Sequence, residues 1–267
     1  MPESERTSSL DSCMNSNSKA EILHILQTGA MEIEGILPWS SNYAFLVTIS
    51  HDGVELPAVY KPRRGERPLW DFPAGTLHLR EKAAYIISEE LGWKLVPPTV
   101  VRDGEYGQGS VQLYIEHDPN HHYFVLEGDP TYRIPLQKMA LLDVAINNAD
   151  RKGGHVMVEK KSNDLDKMVL EPDRIWGIDH GICFHEDYKL RTVIWEFAGE
   201  QIPLKILTGL QLLQHKLQNP RSEINEQLSS LLEKNEIIAF KRRVDLLVMN
   251  CVFPDPGPGR HYPWPPV

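Results

Sequence analysis

The stretch Asn147-Asn-Ala-Asp-Arg-Lys-Gly-Gly-His155 decides how this chain is read. It follows a segment, Pro135 to Asn147, in which Leu136, Met139, Ala140, Leu142, Asp143 and Val144 lie on or near one stripe at helical spacing. A helix therefore runs straight into a polar turn carrying an acid at Asp150, a cation at Lys152 and a metal-capable imidazole at His155. Downstream, Trp176-Gly-Ile-Asp-His-Gly181 sets a second acid, Asp179, at the end of an apolar β run, with glycine two positions later. A strand fixes such a carboxylate and the glycine lets the backbone turn tightly, an arrangement suited to metals and phosphates. Each acid alone also fits an ordinary turn or cap. Their order along the chain is what carries information.

Working outward, the chain before this stretch is β-rich. Ala44 to Ile49 and Val54 to Tyr60 flank a His51-Asp-Gly53 turn, a strong hairpin signal, and Lys61 ends the second run. Pro62 to Thr76 holds Arg63, Arg64, Arg67 and three prolines and reads as a structured loop. Leu77 to Leu91 has helical spacing, carries Glu81 and is stopped by Gly92. Thr99 to Arg102 and Ser110 to Glu116 read as further strands, and His117 to His122 as a polar loop. After the deciding stretch, Val156 to Val158 and Met168 to Leu170 look like a hairpin, and Arg174 to Ile178 like another strand. Two amphipathic segments follow, about Pro203 to Gln218 and Ile224 to Val252. The expected division is a disordered tail (1–18), a β-rich part with one inserted helix (19–116, with a short helix at Lys19 to Ala30), a mainly helical part (117–253), and a Pro-rich tail (254–267) that docks or binds as an extended segment.

With 267 residues, 41% hydrophobic and 24% charged, the composition is that of a globular chain and excludes wholesale disorder. No apolar run approaches the roughly 18 residues that would span a bilayer. The polar, partly acidic start lacks the pattern of a signal peptide, so a cytoplasmic protein without integral membrane association is expected. Three scattered cysteines fit a reducing compartment. A net charge of −9 weighs against nucleic acid as a partner, because phosphate-backbone affinity rests on Lys and Arg contacts. An anionic partner would need a locally basic site, and Lys61, Arg63 to Arg67, Arg151 and Lys152 are the residues expected to supply it.

Taken in order, a strand with Lys61, a helix with Glu81, two strands, a helix, the Asp150 turn, a hairpin and Asp179-x-Gly resemble a protein-kinase-like fold. Locally, Val59-Tyr-Lys-Pro62, Asp150-Arg151 and Gly177-Ile-Asp-His-Gly181 resemble the lysine strand, the Asp-Arg-His-x-x-Asn loop and the His-Ile-Asp-Phe-Gly motif of the phosphatidylinositol 3- and 4-kinase superfamily. The chain is most similar to its compact branch, which holds type II phosphatidylinositol 4-kinases and small bacterial kinase-like proteins. Arg80-Glu-Lys-Ala-Ala-Tyr85, Leu91-Gly-Trp93 and Val96-Pro-Pro-Thr99 carry that similarity. More narrowly, Leu37-Pro-Trp-Ser-Ser-Asn42, Arg64-Gly-Glu-Arg-Pro-Leu-Trp-Asp-Phe-Pro73 and Asn147 to His155 resemble a bacterial family of about this length.

The resemblance implies an α+β, two-lobed fold that holds ATP and Mg²⁺ or Mn²⁺ between a β-rich and a helical lobe, and a kinase that transfers the γ-phosphoryl group to a hydroxyl. The acceptor stays open among a protein Ser/Thr, a small molecule and a lipid. Lys61 would hold the α- and β-phosphates and Glu81 would pair with it. Ser40, Ser41 and Asn42 would cover the phosphates, and the strand ending at Glu116 would lead to adenine. Asp150 would orient or deprotonate the acceptor, and Lys152, in place of the usual histidine, would neutralise the transferring phosphate. Asp179 would bind the metal with His155, which replaces an asparagine and suits Mn²⁺ better than Mg²⁺. His180 replaces a phenylalanine. Three other readings remain: transfer of AMP, a nucleotide-binding pseudokinase or interaction module without efficient transfer, and a nucleotide-independent scaffold.

Overall fold

The computed structural model describes residues 18–37, 43–160 and 174–267. They divide into two compact units, one from residues 18–82 and 97–116, the other from 83–96, 117–160 and 174–267.

The first unit is a five-stranded antiparallel sheet in the order β1-β2-β3-β5-β4, with β1 at Ala30–Ile36, β2 at Phe45–His51, β3 at Val54–Pro62, β4 at Thr99–Gly104 and β5 at Gly107–Leu113. Period-two burial along β2 and β3 sends Phe45, Val47, Ile49, Leu56, Ala58 and Tyr60 to one apolar face. Lys61 therefore points to the opposite face. Helix α1 (Lys19–Thr28) is capped by Ser18, whose hydroxyl accepts from Glu21 N at 3.3 Å. Its other end is held by Arg102 of β4, which donates to the carbonyls of Leu26 and Gly29 at 3.1 and 2.8 Å. Helix α2 (Leu77–Glu90) starts in this unit and carries Glu81 in its first turns.

The second unit is mainly helical. A three-stranded sheet, β6-β7-β8, is formed by His117–His122, Val156–Glu159 and Ile175–Gly177. Its helices are α3 (Tyr123–Leu126), α4 (Arg133–Ile146), α5 (Leu204–Gln218), α6 (Glu223–Ser229) and α7 (Lys234–Asn250). Helix α7 packs on both α4 and α5, and Phe240 meets Phe184 edge to face at 5.6 Å. The Pro-rich tail docks here: Gly153 N donates to Pro266 O at 2.7 Å, and Thr192 N and Trp195 Nε1 both donate to His261 O at 3.1 Å.

Several expectations change. His117–His122 is a strand, because ladder bonds are main-chain bonds and β7 supplies them whatever the side chains. Ala30–Ile36 adds an edge strand that polar Glu32 and Glu34 concealed. Val156, Met157 and Val158 pair with Gly177, Trp176 and Ile175; the expected partner, Met168 to Leu170, lies outside the described residues. The segment from Ile224 to Val252 is two helices, broken between Ser229 and Lys234. Among the described residues no helix is long and apolar enough to cross a membrane.

The lysine strand has a tight neighbour. Gly109 of β5 lies opposite Pro62, and a Cβ there would stand 2.4 Å from Lys61 O and 2.7 Å from Pro62 Cα. Backbone atoms cannot step aside as a flexible side chain can. Gly109→Ala is therefore expected to lower the unfolding free energy by about 1–3 kcal/mol, measured as a lower urea midpoint at unchanged m-value. An unchanged midpoint would contradict this register.

Candidate functional site

In the first unit, the strand and helix periodicities bring together two charged residues that stand 20 apart in sequence. Lys61 Nζ donates to Glu81 Oε1 at 2.7 Å, with side-chain exposures of 21% and 5%. A carboxylate so buried requires a cation. Glu116 lies exposed beyond β5, in the connection to β6; just before it Tyr114 N donates to Pro57 O at 3.0 Å. Ser40, Ser41 and Asn42 lie outside the described residues.

In the second unit, α4 ends at Asn147, whose left-handed backbone (φ 54°) turns the chain out of the helix. The Asn147 amide fixes the turn by donating to the carbonyls of His185 and Asp187 and accepting from Lys189 N. Asn148 Oδ1 then accepts from Asp150 N at 3.0 Å. Burial raises the Asp150 carboxyl above its ordinary pKa; the Lys152 ammonium, 3.4 Å from Oδ2, pulls it back, and the charge of Asp179 adds to the rise. A short 3-10 turn, Gly153–His155, aims the His155 ring at Asp179, Nε2 to Oδ2 at 3.3 Å. His155 Nδ1 faces Lys152 N at 3.5 Å, a contact too long to fix which ring nitrogen carries the proton. Asp179 itself sits at φ 58°, a left-handed backbone that an acid tolerates at some cost.

Arg151 proves to be the organiser of this loop. Its side chain is fully buried and all five of its N–H groups have acceptors. Nε shares its proton between the two Asp143 oxygens at 3.1 and 3.0 Å, and Nη2 donates to Asp143 Oδ1 at 2.9 Å. Nη1 donates to the carbonyls of His155 and Ile178 at 3.1 and 2.9 Å. The last proton, on Nη2, points at His180 Nε2, 2.6 Å away. A guanidinium only donates, so Nε2 must accept and the His180 proton resides on Nδ1. Asp143 is completed by Asn148 Nδ2 at 2.9 Å and Thr192 Oγ1 at 3.3 Å.

One expectation is corrected by this network, and one replaced residue gains a role. Arg151 adds no positive charge to the surface, because Asp143 neutralises it in the interior. His180, in place of a phenylalanine, serves as a buried acceptor for Arg151. Asp143, Asn148 and Thr192 were not legible as site residues. The available signal was Asp143 itself, an acid on an apolar helical stripe that must find a buried cation, with Arg151 only eight positions away.

The donor set can be tested against the implied metal. Among the described residues no group of three or more His, Cys, Asp or Glu side chains could hold an ion alone. Asp179 and His155, however, already place one oxygen and one nitrogen side by side. A divalent ion completed by phosphate oxygens and water needs only one or two protein ligands, and the imidazole fits Mn²⁺ better than Mg²⁺.

Removing the buried guanidinium should be costly. Arg151→Met is expected to destabilise the fold by about 3–5 kcal/mol, because it strands the Asp143 charge. Arg151→Met combined with Asp143→Leu should recover a large part of that loss in denaturant titrations. A double variant as unstable as the sum of the singles would contradict the pairing.

No protein-family model matches the chain. Protein Rv2133c of Mycobacterium tuberculosis is 37% identical over 274 residues, spanning 90% of this chain and 94% of that protein. Phosphatidylinositol 4-kinase gamma 4 of Oryza sativa subsp. japonica is 30% identical over 173 residues, which cover 59% of this chain. The chain spans about a quarter of the length of the plant kinases it matches. Among solved structures, the Golgi casein kinase with Mn and ADP bound gives a TM-score of 0.57 at 17% identity, covering 88% of this chain and 75% of that one. Hydra Fam20 with sugar also gives 0.57, at 15% identity, over 87% and 88%. At such identities the structures speak for the fold, an α+β, two-lobed, protein-kinase-like one, as the order of motifs predicted. The chain belongs to the family of Mycobacterium tuberculosis protein Rv2133c, on a protein-kinase-like fold with distant similarity to phosphatidylinositol 4-kinases gamma.

Proposed function

We propose that this protein is an ATP-dependent phosphotransferase that moves the γ-phosphoryl group to a hydroxyl acceptor with the help of a divalent metal. The observation that carries the reading is the ion pair between Lys61 and the buried Glu81. A strand lysine held by a helix glutamate is a rigidly aimed cation, and phosphoryl transfer is mostly positioning and charge neutralisation. Similarity to the plant phosphatidylinositol 4-kinases supports the same class.

Each role follows from chemistry at a stated atom. Lys61 Nζ would hold the α- and β-phosphates, with Glu81 keeping it aimed. Ser40, Ser41 and Asn42 would cover the phosphates with hydroxyls and amides, and the connection at Glu116 would meet adenine. Asp150 would accept or orient the acceptor proton. Its raised pKa makes it a stronger base than an exposed aspartate. Lys152, on the same carboxylate, would neutralise negative charge as the phosphoryl group passes. Asp179 and His155 would hold Mn²⁺ or Mg²⁺, which supplies charge neutralisation to the phosphate oxygens.

These roles fix outcomes. Asp150→Asn should leave ATP affinity within about threefold while lowering turnover by roughly 10²-fold or more, the scale of a lost general base. Lys61→Met should instead raise the ATP dissociation constant. ATP binding that is tight but accompanied by no turnover on any hydroxyl acceptor would favour the nucleotide-binding module over the enzyme. The activity of the wild type should fall as pH drops through the Asp150 pKa, because protonation removes the base. Lys152 lowers that pKa, so Lys152→Met should move the acid limb to higher pH; an unmoved limb would show that another group controls it. His155→Asn should shift the metal preference from Mn²⁺ toward Mg²⁺, read as the ratio of activities with the two ions.

A further inference from the structure

The loop joining β3 to α2 holds a cavity of about 470 Å³ that the phosphotransfer roles leave unused. Its wall carries three arginines, Arg63, Arg64 and Arg67, and its apolar floor is made by Phe72 and Leu77. The segment Lys61-Pro-Arg-Arg-Gly-Glu-Arg67 has four cations and one acid in a chain whose net charge is −9. That acid, Glu66, also lines the cavity, but its Oε1 is turned to His78, accepting from His78 N at 2.9 Å and from His78 Nδ1 at 2.7 Å, its side chain is 8% exposed, and the arginines of the wall outnumber it.

The cavity is built rather than incidental. Gly75 has φ 75°, and a Cβ there would lie 2.3 Å from Arg63 Nε, so the guanidinium rests directly on the glycine backbone. Phe72 is held from behind by the Arg80 guanidinium, 5.0 Å from the ring centre, and Thr76 Oγ1 closes the turn by donating to Pro73 O at 2.7 Å. Gly65 packs so closely on Tyr43 that a Cβ would meet the Tyr43 Cβ at 2.8 Å. The volume falls in the range of small-molecule sites, roughly 300–1,000 Å³. Guanidinium forks match the terminal oxygens of a phosphate group bidentately, and several forks around one cavity favour a dianion with three such oxygens over a single carboxylate.

We propose that this cavity is a second anion site, separate from the nucleotide lysine, that binds a phosphomonoester group. The inference stands independently of phosphotransfer. The group's source, a small soluble phosphate ester or a lipid headgroup, is settled by the choice of probe.

Isothermal titration of the full chain with glucose 6-phosphate and with pyrophosphate, and co-sedimentation with phosphatidylcholine vesicles containing phosphatidic acid, test it. Binding should persist in Lys61→Met and weaken at least tenfold in Arg63→Gln combined with Arg67→Gln, while ATP affinity shows the opposite pattern. Soluble binding identifies a free ester as the source, and vesicle binding alone identifies a lipid. Both support the site if the arginine variant abolishes them. Should the double variant fail to fold by circular dichroism, Arg64→Gln takes its place. Binding that survives the arginine substitutions, or that is lost with Lys61→Met alone, would overturn the proposal, as would no binding of any probe at millimolar concentration. Loss of ATP turnover with the arginine site intact would count against the phosphotransferase reading only.

Discussion

The buried pair between Arg151 and Asp143 is the constraint on which the second unit's chemistry depends. A charge in the interior is tolerated only when its counter-charge and hydrogen bonds are complete. Here every guanidinium proton is spoken for, by a carboxylate from α4, by carbonyls at both His155 and Ile178, and by an imidazole at His180. One side chain thus joins the end of a helix, the Asp150 turn and the residues on either side of Asp179. None of these segments can shift without leaving a buried proton or lone pair unmatched. The half-buried acids Asp150 and Asp179 therefore inherit their positions from an ion pair that never meets solvent.

This separation of labour also explains the electrostatics. Asp143 absorbs the charge of Arg151, so the positive field near Asp150 comes first from Lys152 and then from Arg191. Partial burial raises the Asp150 pKa while Lys152 restrains the rise, a balance suited to a general base. In the first unit the same principle appears once more, with the buried Glu81 aiming Lys61. Each unit holds an outward-acting group by means of an inward partner.

Much of this was legible in the sequence, for identifiable reasons. Lys61 and Glu81 stand in apolar contexts of period two and 3.6, and such contexts reveal a charged residue with a fixed direction. Asp150, His155 and Asp179 follow regular elements closely enough that the turn locates them. What escaped was long-range or main-chain in nature. The partner of Asp143 is set by tertiary packing, and the role of His180 by a guanidinium 29 residues away. The strand at His117–His122 depends on ladder bonds that polar side chains do not announce. Ser40, Ser41, Asn42 and the segment Met168 to Leu170 lie outside the described residues, so the phosphate-covering role rests on the sequence resemblance alone.

The central claim, that this family's kinase-like fold holds ATP and a metal through these residues, is tested most directly by a crystal structure with a nonhydrolysable ATP analogue and Mn²⁺. The account predicts Lys61 Nζ on the α- and β-phosphates while Glu81 still holds it, with the metal on Asp179 and His155. A nucleotide bound without contact to Lys61, or a metal that avoids Asp179, would contradict it.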